Sequence, residues 1–392
     1  GEEISDERLG QIIDEKIRQK QDIQLALEER ESIHREIFAA IRGLDVLQEL
    51  LEDDSITEIM VNGTQDIFLE RCGRLERCSK HFENKARLSD VAQRIAAVSN
   101  RLVNESVPIL DTHLEDGSRV SIVLPPVALN GPVITIRKFY DTPLTIERLT
   151  GMGAITKEAA QFLEKAVRAG YNIFISGGTG CGKTTFLNAL SNFIPKDERV
   201  ITIEDSAELQ IQGVGNLVRL EVRKSNMECD NEVSIRDLIR SSLRMRPDRI
   251  IVGETRGEEA LDMLQAMGTG HDGSLSTGHS NSSKDMLTRL RTMVLMGIDM
   301  PAEAIDRQIA SAIDIIVHLK RMRDKTRKVW EITEVCGYKN NEFELVPLYK
   351  YVEEGEDKNG KIIGTLKRQN NSLKNTEKLE WSKDTGTMQC KS

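Results

Sequence analysis

No apolar stretch in the 392 residues approaches the ~18 needed to cross a bilayer, and the opening GEEISDERLG has neither the basic nor the apolar region of a secretion signal. The chain is therefore expected in the cytosol. Its six cysteines (Cys72, Cys78, Cys181, Cys229, Cys336 and Cys390) include no C-x-x-C pair. That excludes a disulfide framework and a zinc ribbon, and points to a reducing compartment. Aromatic residues make up only 4% and the net charge is -9, so a broad basic face with stacking rings for nucleic acid is not expected. The acidity is local, since residues 1–58 hold 17 acids against 7 bases, leaving the remainder near +1. No N-K-x-D motif for reading guanine occurs, and no repeat of 20 to 50 residues. What is present is ordinary globular composition, 39% hydrophobic and 30% charged with 28 glycines, at a length sufficient for two or three domains.

Five regions follow from the pattern. Residues 1–43 form an acidic leader with Leu9, Ile13 and Ile17 at helical spacing, read as one or two surface helices. Residues 44–139 read as a small mixed α/β domain: a helix, a strand ending at Asn62-Gly63, a hairpin turning at Gly73, a helix from residue 88, then two strands around a Pro/Gly loop. Residues 140–156, with Pro143, Gly151 and Gly153 but no sustained period, read as a flexible linker. Residues 157–351 alternate helix and strand, which predicts an α/β domain with a mostly parallel core sheet. Residues 352–392 are polar and read as a weakly ordered tail with at most one hairpin.

The strongest chemical signal is Gly177-Gly178-Thr179-Gly180-Cys181-Gly182-Lys183-Thr184, a full G-x-x-x-x-G-K-[ST] match between the apolar strand NIFIS and the helix TTFLNAL. Backbone N–H groups from Gly178 to Thr185 would meet the phosphates of ATP, Lys183 would neutralise them, and the Thr184 hydroxyl would ligate Mg²⁺. Hydrolysis also needs carboxylates to place water and hold the metal shell. Glu204 with Asp205 ends the strand VITIED, and Glu254 ends RIIVGE, both at the carboxyl edge where α/β sheets bind ligands. The alternative for either acid is to cap a loop or pair with Arg256. The segment GTGHDGSLSTGHS places His271 and His279 eight residues apart, with no third and fourth ligand spacing for zinc. They read as sensors of the terminal phosphate or links to a neighbouring subunit. Arg119 and Arg137 close the first domain, where an arginine could reach a transferred phosphoryl group; Arg240, Arg244, Arg246 and Arg256 are alternatives within the second.

Six blocks in order resemble the secretion traffic ATPases of type II and type IV systems, most closely the CpaF/TadA branch that drives pilus assembly. They are LLEDDSITEIMVNG, DGSRVSIVLPPVALNGPVITIRKF, SGGTGCGKTTFLNAL, VITIEDSAEL, LRMRPDRIIVGETRGEEALDMLQAMGTGHDGSLSTGHSNS and the helical region after them. The resemblance covers about residues 40–345. It implies a RecA-like P-loop ATPase domain preceded by a smaller mixed α/β N-terminal domain, a homohexameric ring and Mg-dependent ATP hydrolysis. It also implies work on an inner-membrane platform protein from the cytoplasmic face, with no nucleic acid and no metal cluster. Within it the acidic box falls on Glu204, the divergent Walker B glutamate on Glu254, the histidine box on His271 to His279, and the phosphate-contacting arginines on Arg119 and Arg137. A RecA-like nucleic-acid translocase is the alternative.

Overall fold

A computed structural model describes residues 5–19, 26–71, 73–139, 144–223, 232–358 and 360–384. The chain divides into two compact units, Gly1–Tyr140 and Asp141–Ser392.

The first unit opens with α1 (Asp6–Gln19) and α2 (Leu27–Ile41), and α1 buries Leu9 and Ile13 of the apolar stripe. There follow α3 (Val46–Glu52), β1 (Ile56–Asn62), β2 (Asp66–Arg71), β3 (Arg74–Arg77), α4 (Lys85–Val98), β4 (Ile109–His113), β5 (Arg119–Val123) and β6 (Val133–Arg137). The six strands form an antiparallel sheet in the order β3-β2-β1-β6-β5-β4. Strict alternation in RVSIV and VITIR puts Val120, Ile122, Ile134 and Ile136 on one buried face, with Leu88, Val91 and Ile95 of α4 and Leu47 of α3 in the same core. Asn84 caps α4 by accepting from the Arg87 N–H.

The second unit runs α5 (Ile146–Gly151), α6 (Lys157–Arg168), β7 (Ile173–Gly177), α7 (Lys183–Ser191), β8 (Arg199–Glu204), β9 (Asn216–Glu221), α8 (Ile235–Ser242), β10 (Arg249–Val252), α9 (Ala260–Gly268), β11 (Leu275–His279), α10 (Ser283–Gly297), α11 (Ala302–Ala312), β12 (Ile315–Arg321), β13 (Arg327–Lys339), β14 (Glu342–Glu356), β15 (Ile362–Arg368) and α12 (Glu377–Asp384). Its nine strands lie in the order β15-β14-β13-β12-β7-β11-β10-β8-β9, parallel from β12 to β9 and antiparallel from β12 to β15. The near-continuous apolar runs of β7, β10 and β12 are those of strands covered on both faces. Two apolar clusters result, one containing Leu163, Leu187 and Val317, the other Phe174, Leu264, Leu290 and Ile316.

Two expectations are corrected here. In the segment read as a linker, residues 140–143 lie outside the described ones, but Thr145 caps α5, and Ile146, Leu149 and Ile155 are buried in the core shared with α6. Three apolar residues at i, i+3 and i+9 are too few to show a period, yet enough to anchor a short helix. The polar tail is also structured. β14 continues to Glu356 and pairs with β15, burying Tyr351, Ile362 and Leu366, and the Lys374 and Asn375 N–H groups donate to the Glu334 carboxylate at 2.7–3.1 Å. One buried side chain in every three or four residues leaves a strand looking polar by composition.

Candidate active site

β7 lies between β12 and β11, and its carboxyl end runs straight into the glycine loop. The glycines answer to specific constraints. A Cβ at Gly177 would sit 2.5 Å from both Cys181 Sγ and Leu319 O, and Gly180 and Gly182 hold φ of 68° and 92°. Gly182 is the N-cap of α7, so the first free N–H groups of that helix open onto the loop. Gly178 and Thr179 are exposed, Cys181 is buried, and Thr184 and Thr185 follow Lys183 in the first turn. Burial of Cys181 pushes its thiol up, keeping it protonated.

Lys183 is only 8% exposed. Its Nζ lies 3.3 Å from Gly178 O and 3.3 Å from His279 Nδ1. His279 ends β11, in register with Gly177 of β7, which is how a residue 96 positions away reaches the lysine. Its Nε2 is 2.8 Å from Glu254 Oε1. Burial first, then the charge of Lys183, holds His279 below the usual histidine range, with Glu254 pulling the other way. The ring is thus neutral at pH 7. Both ring nitrogens lie near the ammonium, at 3.3 and 3.4 Å, and Glu254 Oε1, though close to Nε2, is buried without a hydrogen-bond donor among the described residues. The second oxygen of Glu254 accepts from Arg256 at 2.9 Å, and Arg256 Nη2 also reaches Asp205 at 3.2 Å. Lys183, His279, Glu254, Arg256 and Asp205 therefore form one string of polar groups across the carboxyl ends of β7, β11, β10 and β8. The pairing of Glu254 with Arg256, open from the sequence, is made.

Glu204 is placed differently. It ends β8 at 4% exposure, and its Oε1 accepts from the Glu208 and Leu209 N–H groups at 2.9 and 2.8 Å. Burial raises its pKa to about 7, offset in part by those two backbone donors. Gly253 passes so close that a Cβ there would meet Glu204 Cγ at 3.0 Å. The carboxylate anchors the loop after β8.

His271 stands apart from the loop. It precedes β11, with Nδ1 3.3 Å from Ala266 O at the end of α9, and the neighbouring Gly273 N–H donates to Asn172 Oδ1 just before β7. It stands at the amino edge of the parallel strands, a strand length from the glycine loop, so the two histidines of one sequence box are split by β11 itself. Arg119 and Arg137 belong to the first unit, where β5 and β6 set them directly opposite each other, with Glu58 across from Arg137 and His113 across from Arg119. Burial raises the Glu58 pKa, and Arg137 draws it back.

Two residues at the loop escaped the sequence. Arg327 Nε donates to Gly180 O at 2.9 Å, and Arg321 Nη1 lies 3.4 Å from where a Gly180 Cβ would stand. Both come from the β12–β13 hairpin. The signal was the basic run KRMRDKTR at 320–327, but nothing in it indicates a loop 140 residues earlier.

A phosphate cradle at the carboxyl edge of a parallel sheet, with a lysine in the first helical turn and carboxylates on neighbouring strands, defines a RecA-like P-loop ATPase domain. The chain belongs to the type II/IV secretion system protein family, whose profile matches residues 41–390. The type IV secretion system protein VirB11 of Brucella suis is 34% identical over 303 residues, spanning 70% of this chain and 84% of that protein. A putative conjugal transfer protein of Mycobacterium tuberculosis strain H37Rv is 33% identical over 304 residues, spanning 76% and 86%. Among solved structures, the ATPase DotB of Legionella pneumophila aligns with a TM-score of 0.54 at 23% identity over 74% of this chain and 79% of its own. The pilus retraction motor PilT with bound ADP aligns at 0.55 and 17% over 88% of each. At these identities the two share the fold.

Proposed function

We propose that the protein is the ATP-hydrolysing motor of a Tad/Flp-type pilus or a related type II/IV secretion machine. It works as a homohexamer at the cytoplasmic face of the inner membrane against a platform protein, driving assembly or retraction. The observation that supports the chemistry best is the contact of Lys183 with the His279–Glu254–Arg256 string at the mouth of the glycine loop.

In this reading Lys183 and the loop N–H groups from Gly178 to Thr185 bind the phosphates, and the Thr184 hydroxyl holds Mg²⁺ in the first turn of α7. The hard oxygen donors suit that ion, which when bound neutralises charge on the phosphate oxygens. Glu254 orients the attacking water through Oε1, with Arg256 fixing its other oxygen and His279 alongside. Glu204 keeps the neighbouring loop in place. Arg119 and Arg137 supply positive charge to the transferred phosphoryl group. His271, away from the loop, serves as a link to a neighbouring subunit. The test is Mg-dependent ATP turnover: Lys183→Ala should abolish it, and normal hydrolysis by that variant defeats the assignment. Stimulation of turnover by DNA would favour a nucleic-acid translocase instead.

A further inference from the structure

β12 and β13 bring two arginines face to face. Arg321 and Arg327 are direct cross-strand partners. Like charges so placed repel, and hairpins ordinarily avoid them or set a carboxylate between. The same hairpin shows that remedy nearby, where Arg323 is held by Glu353 and Glu356. Among the described residues, neither Arg321 nor Arg327 has a carboxylate partner. Both turn toward the glycine loop. Arg327 donates to Gly180 O and packs its Cδ 3.5 Å from the Cβ position of Gly182, and Arg321 lies beside Gly180. Two unneutralised guanidinium groups beside a nest of backbone N–H groups form a site for an anion.

The side from which they arrive says which part of the anion. Lys183, His279, Glu254 and Arg256 occupy the flank of β7 formed by β11 and β10, whereas the arginine pair comes from the opposite flank, formed by β12 and β13. With the hydrolysed phosphate on the first flank, the second meets the phosphates nearer the nucleoside, which ATP and ADP share. We propose that Arg321 and Arg327 form a diphosphate grip that retains the nucleotide before and after hydrolysis. This rests on the ATPase reading and adds a separate binding group to it. Contacts made equally to substrate, transition state and product govern KM and product affinity and leave kcat unchanged.

The experiment compares the full-length chain with Arg321→Gln, Arg327→Gln and the double variant, using ADP and ATP titration calorimetry, steady-state kinetics, melting temperature and particle mass. The expected result is that each single variant weakens ADP about 10-fold and the double variant more, the worth of a charge-assisted hydrogen bond. The KM for ATP should rise in parallel, with kcat within about twofold of wild type and melting temperature and particle mass unchanged. ADP affinity within about twofold of wild type in the double variant overturns the grip. So does a fall in kcat without a rise in KM, which would make the arginines supports of the loop, and so does a loss of particle mass, which would make them contacts between copies. Failure of the wild-type chain to bind ADP at all would instead defeat the ATPase reading.

Discussion

Glu204 separates stability from activity at a single residue. Its folded pKa of about 7 stands above the ordinary 4.5, so the folded protein holds the proton more tightly than the unfolded chain. This contribution is fully present below pH 4.5 and is lost as pH rises through 7. Glu204→Gln keeps an oxygen for the Glu208 and Leu209 N–H groups without a buried charge. Its melting temperature should exceed that of wild type at pH 8 and match it at pH 4, as followed by circular dichroism. Glu254 poses the opposite case. Glu254→Gln retains a side chain of the same shape beside His279 and Arg256, so ATP binding should persist while turnover falls about 10²- to 10⁴-fold, the range for a positioned acid–base group. Filter-binding and phosphate-release assays on one preparation distinguish the two effects, and undiminished turnover excludes Glu254 from orienting water.

Among the elements, β12 carries the least visible device. His318 is 3% exposed, its Nδ1 is 2.9 Å from Ser176 Oγ in the residue before Gly177, and it also bonds the backbone of Asn281. Burial holds it below the usual histidine range, hence neutral. Across β13, Glu331 accepts from Ser283 at the start of α10. His318→Leu leaves the buried Ser176 Oγ without this partner, at about 1–3 kcal/mol. A drop in melting temperature is expected together with reduced ATP turnover, because Asn281 follows His279 by two residues. In the sequence His318 stands in an apolar run with no pattern to distinguish it. The glycine loop, by contrast, was legible down to its helix, because steric demand and hydrogen bonding restrict each position. The two strands around the Pro/Gly loop were legible too, as β5 and β6, but their antiparallel pairing was not. Arg321, Arg327 and the partition of His271 from His279 were illegible because register between distant strands decides them. β14, β15 and α12 were missed because their few buried side chains are diluted by charge.

At the scale of the molecule, each unit has its own apolar core among the described residues: one is drawn from residues 47–136, and two are drawn from 146–366. Calorimetry of the full chain should accordingly resolve two unfolding transitions, only the one belonging to Asp141–Ser392 shifting upward with ADP. Removal of residues 352–392 deletes β15, most of the buried edge around Tyr351 and the donors to Glu334, so this truncation should lose the ADP-sensitive transition altogether. Retention of that transition would show the extension to be dispensable.

The string from Lys183 through His279, Glu254 and Arg256 to Asp205 is a run of close charged and polar contacts, with Glu254 Oε1 buried and lacking a donor among the described residues. An incoming negative group that recruits the ammonium therefore also alters what the imidazole, the glutamate, the guanidinium and finally the aspartate must share. Occupancy at the tip of β7 would in this way be felt electrostatically at the end of β8, three strands over.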